Sequence, residues 1–235
     1  MPQIPLPKLP YNIYWINLDR RPDRKEHMEK ILVNNKENNC RIQAIDYKNN
    51  FYPYNVIQHS KLNGGEHGCT CSHIKALVYF LETSKDEFCF IAEDDLSNEY
   101  SQYWQQRHFD YLTSNDYEIL QLQTTANTFN NNELIPEKKS NSGTTFYRIS
   151  RTAADKIITN HFNKEKLTID LSIHAHPVTD NFIWSFGETY LLPMFTYLDV
   201  TDSDTSESNS NMNTYWNNFF QNAKNKYLSM WQNIH

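Results

Sequence analysis

The sequence predicts an α/β fold in which one sheet lies between two layers of helices. Short runs rich in β-branched and aromatic residues alternate with helical patterns over the first two-thirds of the chain, which is typical of a three-layer α/β sandwich. The chain has 235 residues, enough to bury a full hydrophobic core. Because no repeat or clear linker interrupts it, we expect a single domain over residues 1–235.

A strand that ends in acidic residues is the most informative element. Residues 88–92 are apolar or small, as in a strand that is buried on both faces. Glu93, Asp94 and Asp95 follow directly, and ligands of open α/β sheets bind just beyond the carboxyl ends of the strands. Adjacent carboxylates repel one another unless they are hydrated or bound to a cation. The triplet therefore predicts a site for a hard divalent cation, with a hydrated acidic turn as the alternative.

The first predicted strand leads into a basic helix start. Residues 11–18 form this strand after a proline-broken, extended lead-in over residues 1–10, and Pro22 suits the first position of a helix. Three arginines surround that position: Arg20, Arg21 and Arg24. A helix N-terminus favours anions, and arginine adds bidentate contacts to oxygen. The cluster predicts binding of nucleotide phosphates, and a solvated face with local aspartate pairing is the alternative.

A second glycine-led helix carries residues that resemble metal ligands. They lie within seven positions: His67, Cys69, Cys71 and His73. Residues two apart in a helix differ by about 200° around the axis, so Cys69 and Cys71 face opposite sides, and we expect no structural zinc site from this motif. The glycines at 64 and 65 allow close approach of a ligand, which Ser72 or His73 would then reach. A buried structural His73 is the alternative.

The middle of the chain continues the alternation of strands and helices. We expect a helix over residues 100–113 and strands over residues 118–123 and 144–149. Ser150 is the expected N-cap of the next helix. Residues 124–142 are rich in asparagine and lack periodicity, so we expect a mobile surface loop near the acceptor of a reaction.

The last third contains one candidate catalytic carboxylate. Asp180 suits a general base at the edge of a pocket, although its position at a helix start favours a capping role from spacing alone. His174 and His176 are weak candidates for metal ligands. Residues 199–213 predict a flexible acidic segment, and residues 214–232 predict an amphipathic helix that docks on the domain.

Charge and cysteine content limit the class of protein. The formal charge of −6 argues against a broad nucleic-acid surface, and no apolar run approaches the ~20 residues of a membrane-spanning helix. Four cysteines are few for a disulfide scaffold: Cys40, Cys69, Cys71 and Cys89. With no secretory signal at the start, we expect a cytoplasmic protein, and the oligomeric state stays open.

Four blocks of this sequence resemble glycosyltransferase family 25, the lipopolysaccharide and procollagen galactosyltransferase group. In order along the chain they are residues 14–24, 65–73, 91–95 and 142–154. The first two are similar to the family's opening strand and helix, which carries Ile-Asn-Leu and then Asp-Arg, and to its Gly-Glu-x-Gly-Cys-x-x-Ser-His element. The last two are similar to its Leu-Glu-Asp-Asp signature and its Gly-x-x-x-Tyr-x-x-Ser segment. Weaker matches to the family follow at Asp180 and at the pair Ser203 and Asp204.

The resemblance implies a GT-A fold, with a Rossmann-like mixed sheet sandwiched between helices. It also implies transfer of galactose or glucose from a UDP-sugar to a glycan or hydroxylysine-type acceptor, with Mn²⁺ or Mg²⁺ and with inversion. Asp95 and Glu93 would be the metal ligands and Asp180 the general base. The residues implied to bind the nucleotide sugar are Asn17, Arg20, Arg24, Ser72, His73, Glu93 and Asp94.

Two other functions stay open at this point. A sugar-nucleotide hydrolase would use the same cation with water in place of the acceptor. A module that binds a nucleotide sugar without turnover would need the same cleft and no base.

Overall fold

The structure is a computed structural model that describes residues 4–198 and 210–234, without the side chains of residues 210–217. The helices are α1 (Pro22–Ile31), α2 (Gly64–Thr83), α3 (Gln106–Thr113), α4 (Arg151–His161), α5 (Thr179–Trp184) and α6 (Ser210–Gln232). The strands are β1 (Ile13–Asn17), β2 (Asn39–Gln43), β3 (Asn55–Ile57), β4 (Phe88–Glu93), β5 (Leu96–Ser97), β6 (Ile119–Gln121), β7 (Phe146–Ser150), β8 (Phe162–Asn163), β9 (Thr168–Asp170), β10 (Thr189–Leu191) and β11 (Thr196–Tyr197).

A six-stranded mixed sheet organises the fold, in the order β10-β6-β7-β4-β1-β2. β1 pairs in parallel with β2 and β4, and β6 pairs in parallel with β10. β7 is antiparallel to both of its neighbours, β4 and β6. The predicted α/β architecture, a mixed sheet flanked by helices, is confirmed.

The two faces of the sheet bury two separate hydrophobic clusters. Successive residues of a strand point to opposite faces, so Ile13 and Trp15 of β1 pack in one cluster while Tyr14 and Ile16 pack in the other. The first cluster includes residues of α1, α3 and α6, and the second includes residues of α2, α4 and α5. β4 is fully buried as far as Ala92, which agrees with the predicted two-sided burial.

The direction of the strands places several chain segments at one edge of the sheet. β1, β2 and β4 are parallel, so their carboxyl ends meet at this edge. β7 runs the opposite way, so its amino end and the preceding residues reach the same edge. The Glu93 N–H therefore donates to the Thr145 carbonyl, at 2.8 Å.

Two sequence predictions for the middle of the chain are wrong in the structure. The helix expected over residues 100–113 is interrupted at Trp104, and only a short 3₁₀ turn (Ser101–Tyr103) precedes α3. Residues 124–142 form no helix or named strand and much of the segment is exposed, but it is not the mobile surface loop expected, because Phe129 and Leu134 anchor it in the core. The Tyr227 hydroxyl of α6 accepts a hydrogen bond from the Phe129 N–H, so the C-terminal helix covers this segment.

The ends of the described chain pack on the domain. Leu6 of the lead-in is buried, and its N–H donates to the Ile31 carbonyl at 2.7 Å. α6 buries Ala223, Tyr227 and Trp231 in the first cluster. The predicted segment over residues 199–213 lies largely outside the described residues, as do Ser203, Asp204 and the side chain of Trp216. None of the helices described is both long and apolar enough to cross a membrane.

Candidate active site

A cleft opens where β1, β2 and β4 end and where α1 and α2 begin. Its lining includes most of the predicted nucleotide and metal residues: Asn17, Arg20, Arg24, Ser72, His73, Glu93, Asp94 and Asp95. Gly65, where the sequence predicted close approach of a ligand, also lines it. So do residues that the prediction did not include: Asp46, Tyr47, Gly68 and Cys69. The acidic triplet thus lies in the same cleft as two of the arginines that follow the first strand.

Asp94 links β1 to α1 inside the cleft. Its side chain is buried and accepts hydrogen bonds from Asn17 Nδ2 at 2.7 Å and from Arg24 Nη1 at 2.9 Å. Burial raises the pKa of Asp94, and Arg24 and Asn17 oppose this effect. Burial also acts to lower the pKa of Arg24, but the charges of Asp95 and Asp94 outweigh it and raise that pKa. Arg24 is therefore a fixed cation beside the acidic triplet.

Arg20 forms the outer wall of the cleft. Its side chain is 33% exposed, and its Nε donates to Asp46 Oδ2 at 3.0 Å. Asp46 follows β2 and caps the short turn Tyr47–Asn49 through the Lys48 N–H. The pairing holds the β2 end beside the start of α1, and the partial exposure lets a bound anion contact the guanidinium.

Glu93 is held from two other elements. The Thr144 hydroxyl donates to Glu93 Oε1 at 2.6 Å, and His73 Nε2 lies 3.3 Å from the same oxygen without hydrogen-bond geometry. His73 Nδ1 contacts the Tyr147 hydroxyl at 2.9 Å. Burial acts to raise the pKa of Glu93, but the neighbouring His73 ring and the Thr144 hydroxyl outweigh it and lower that pKa.

Asp95 differs from its neighbours because one of its oxygens has no partner. Oδ1 is buried and accepts no hydrogen bond in the structure. Burial raises the pKa of Asp95 to about 7, and the negative charge of Glu93 adds to this effect. A buried oxygen without a donor is costly unless a cation or a ligand satisfies it, so Asp95 and Glu93 fit a hard divalent cation.

Ser72 is engaged in the packing of the cleft wall. Its hydroxyl accepts from the Ile45 N–H at 2.8 Å and donates to the Gly68 carbonyl at 2.6 Å. A Cβ at Gly68 would lie 2.9 Å from the Ile45 carbonyl oxygen, and a Cβ at Gly64 would lie 2.5 Å from the Tyr47 ring. Gly64 and Gly68 thus admit the chain's own loop after β2. Of the two glycines at which the sequence predicted close approach of a ligand, 64 and 65, Gly65 lines the cleft.

Asp180 lies in the first turn of α5, beside the Cys69 wall of the cleft. Its carboxylate accepts from the Asn181 N–H at 2.9 Å and, more weakly, from the Gly143 N–H at 3.3 Å. The preceding Thr179 hydroxyl is 3.2 Å from Cys69 Sγ. Asp180 therefore lies at a helix start, close to the cleft but not within its lining. The capping role that its spacing favoured is wrong, because Val178 is the N-cap of α5 and no side chain caps this helix.

The remaining histidine and cysteine candidates point elsewhere. His174 Nε2 contacts the Ser185 hydroxyl at 3.0 Å, and its Nδ1 accepts from the His176 N–H. His67 contacts the Asn63 carbonyl through Nδ1 and accepts from the His59 N–H through Nε2. Cys71 packs in the core while Cys69 lines the cleft, so the two thiols face opposite sides of α2 as expected.

The sequence analysis did not assign Cys69, Asp46 or Thr144 to the site. Their partners come from other elements, and nothing in local spacing indicates such pairs. For Cys69 the available clue was its separation of four residues from His73, which puts both on one face of a helix.

The chain belongs to glycosyltransferase family 25, whose description reads LPS biosynthesis protein. The model of this family matches residues 11–173. The search of curated proteins found no match. Among solved structures, the chain is similar to the crystal structure of A197 from STIV, at 12% identity and a TM-score of 0.39. That similarity covers 79% of this chain and 83% of the other. The family assignment comes from the match over residues 11–173.

Proposed function

We propose that this protein is a metal-dependent, inverting glycosyltransferase of the GT-A type. It moves galactose or glucose from a UDP-sugar to a hydroxyl of a glycan or a hydroxylysine-type acceptor. One observation carries the proposal: two carboxylates at the end of β4 and two arginines line the same cleft. They are Glu93, Asp95, Arg20 and Arg24.

The nucleotide side of the cleft suits a diphosphate. Arg24 is held beside the acidic triplet by Asp94, and Arg20 stands partly exposed at the cleft wall. The first turns of α1 and α2 each contribute one residue to the cleft lining, Arg24 and Gly65, so the positive ends of both helix dipoles lie near a bound anion. Asn17, which donates to Asp94 and to the Arg21 carbonyl, fixes the end of β1 between these groups.

Asp95 and Glu93 would hold Mn²⁺ or Mg²⁺, because such cations prefer carboxylate oxygens and Asp95 Oδ1 is buried without a partner. When bound, the cation supplies Lewis-acid stabilisation of the charge on the departing diphosphate. Arg24 adds a fixed positive charge at the same end of the cleft.

A base must take the proton of the acceptor hydroxyl when the hydroxyl oxygen attacks the anomeric carbon. Asp180 is our candidate, since the N–H groups of Asn181 and Gly143 orient its carboxylate beside the Cys69 wall. The proton passes from the acceptor hydroxyl to an oxygen of Asp180 while the bond from the sugar to UDP breaks. Attack from the face opposite to UDP gives inversion.

A panel of UDP-sugars with Mn²⁺, with and without glycan and hydroxylysine acceptors, tests the function through UDP release and product linkage. We expect Asp95→Asn to lower acceptor-dependent release at least about 100-fold, since even changes outside the ligand shell cost 10–100-fold at metal sites. Asp155→Asn is the matched control, because Asp155 is exposed on α4.

Three results would reject the proposal. Full activity of Asp95→Asn would remove the metal assignment. Release of free hexose that no acceptor changes would indicate a hydrolase. Tight UDP binding without turnover on any donor would indicate a binding module.

A further inference from the structure

A second set of donor atoms lies in the cleft and differs in chemistry from the pair of carboxylates. Cys69 Sγ, a ring nitrogen of His73 and a carboxylate oxygen of Glu93 all lie within 4.8 Å of one another. All three residues line the cleft. Hard cations such as Mn²⁺ rarely select a thiolate, whereas Zn²⁺ binds sulfur, imidazole and carboxylate together.

Two elements of the fold bring these donors together. Cys69 and His73 are four residues apart in α2, so they share one face of the helix. That face is turned towards the end of β4, where Glu93 is the last residue of the strand. The sequence argument against zinc concerned Cys69 with Cys71, and it stands, because Cys71 is in the core. The third donor comes from a strand twenty residues further along the chain.

His73 is oriented as a ligand before any ion binds. Only 1% of it is exposed, and its Nδ1 contacts the Tyr147 hydroxyl at 2.9 Å. Its buried Nε2 has no hydrogen-bond partner and lies 3.3 Å from Glu93 Oε1. When Nε2 binds a metal, the ring proton lies on Nδ1, from which the ring donates to the Tyr147 hydroxyl. Outer contacts of this kind hold metal-binding histidines in place.

One separation within the donor set, between His73 and Glu93, can be compared with that of tetrahedral zinc. Zinc bonds of 2.0–2.3 Å place neighbouring ligand atoms about 3.5 Å apart. The separation of 3.3 Å between Nε2 and Oε1 is close to this value. The Thr179 hydroxyl, 3.2 Å from Cys69 Sγ, is placed to donate to the sulfur as a thiolate.

We propose that Zn²⁺ binds to Cys69, His73 and Glu93, with its fourth position open to the cleft. The site shares Glu93 with the carboxylate pair but does not use Asp95. Zinc is therefore expected to displace Mn²⁺ from Glu93 and to inhibit sugar transfer, a consequence that rests on the proposed function. The binding itself does not.

Binding is tested on the full chain by titration of Zn²⁺ against a chromophoric chelator. We expect one equivalent to bind, and Cys69→Ser and His73→Gln to weaken it at least about 100-fold, since changes in outer contacts alone cost 10–100-fold. Cys40→Ser is the matched control and should bind as the unaltered protein does. Co²⁺ should give a thiolate-to-cobalt charge-transfer absorption that Cys69→Ser abolishes.

Zinc affinity unchanged in Cys69→Ser, or bound Co²⁺ without the thiolate absorption, would overturn the inference. Near-ultraviolet circular dichroism identifies a variant that has not folded, and Cys69→Ser provides the test if His73→Gln fails. Asp95→Asn separates this inference from the proposed function. It should still bind one equivalent of zinc and show the thiolate-to-cobalt absorption, while it loses Mn²⁺-dependent transfer. Zinc binding in a protein without transferase activity would reject the function alone.

Discussion

Neighbouring carboxylates in the cleft have different electrostatic environments. The pKa of Glu93 is lowered despite its burial, because His73 and Thr144 lie against it. Burial and the charge of Glu93 raise the pKa of Asp95 to about 7. The two carboxylates of the metal-free protein therefore differ in acidity, and Glu93 loses its proton at a lower pH than Asp95 does.

The role of Asp180 is tested by replacing it with asparagine. Asp180→Asn keeps an oxygen acceptor at the start of α5, so the fold should be intact, but it removes the carboxylate that we propose as the base. We expect kcat for sugar transfer to fall by about 100-fold or more, the usual size of a general-base contribution, with little change in the KM of the donor. Steady-state kinetics with both substrates varied is the measurement.

Asp155→Asn is again the comparison, since it makes the same change on an exposed helix position. A kcat equal to that of the unaltered protein would move the base to another residue. A large rise in donor KM with kcat unchanged would assign Asp180 to donor binding.

At the scale of elements, Arg148 of β7 ties the end of α3 to the sheet. Its side chain is completely buried, and it donates to the carbonyls of Leu112, Ser114 and Tyr117 at 2.6–2.9 Å. The guanidinium also lies over the Phe88 ring, 4.1 Å from its centroid. Burial lowers the pKa of Arg148 to about 10, so it stays charged at neutral pH.

Arg148→Met should destabilise the protein strongly. The change leaves buried carbonyl groups without donors, and each unsatisfied group costs about 1–3 kcal/mol, so we expect a loss of at least about 3 kcal/mol. Urea denaturation measures it. Arg107→Met, at an exposed position of α3, is the control, and a loss of similar size in both variants would contradict the assigned role.

The sequence predicted best those features of the fold that depend only on neighbouring residues. β4 and its carboxylates were identified because a buried strand is a continuous apolar run that depends on no other segment. The N-cap of α4 was identified for a similar reason, since Ser150 accepts from the Ala153 N–H three residues away. Such features are local in sequence.

What the sequence could not indicate depends on distant partners. Phe129 and Leu134 occur singly in a polar segment, and they are buried because α6 returns over them nearly a hundred residues later. Arg148 is a single charged residue in a predicted strand, and its acceptors, the carbonyls of Leu112, Ser114 and Tyr117, become its neighbours only in the folded chain. The Thr144 contact with Glu93 requires the antiparallel insertion of β7, which local periodicity does not specify.

At the scale of the whole molecule, stability should depend on pH through the contact between α3 and α6. His108 is fully buried, its Nδ1 accepts from the Gln105 N–H at 2.8 Å, and its ring packs edge-on against Trp231 at 4.7 Å. Burial lowers the pKa of His108 to about 4, and the charge of Arg107 adds to this effect. The folded protein therefore holds this ring neutral.

The unfolded chain binds a proton at His108 near pH 6.5, whereas the folded protein does so only near pH 4. Between these values the unfolded state binds more protons, so stability falls as the pH falls, by up to about 3 kcal/mol from this group. Urea denaturation from pH 7 to pH 4.5 measures the slope.

His108→Asn keeps an acceptor for the Gln105 N–H and removes the titration, so its slope should be smaller. Other buried histidines keep part of the slope in both proteins, because burial also lowers the pKa of His27 and His161. Equal slopes in the two proteins would contradict the role of His108.

The antiparallel position of β7 has a consequence for how related chains diverge. β6 ends and β7 begins at the edge of the sheet that carries the cleft, so the long connection between them lies entirely at that edge. Phe129 and Leu134 anchor it in the core, while much of the rest is exposed and ends at Gly143, next to Asp180. Selection can rewrite these exposed positions without altering a strand or a cleft carboxylate. If the acceptor binds beside Asp180 as we propose, changes confined to this one connection would alter acceptor choice and leave the donor side of the cleft unchanged.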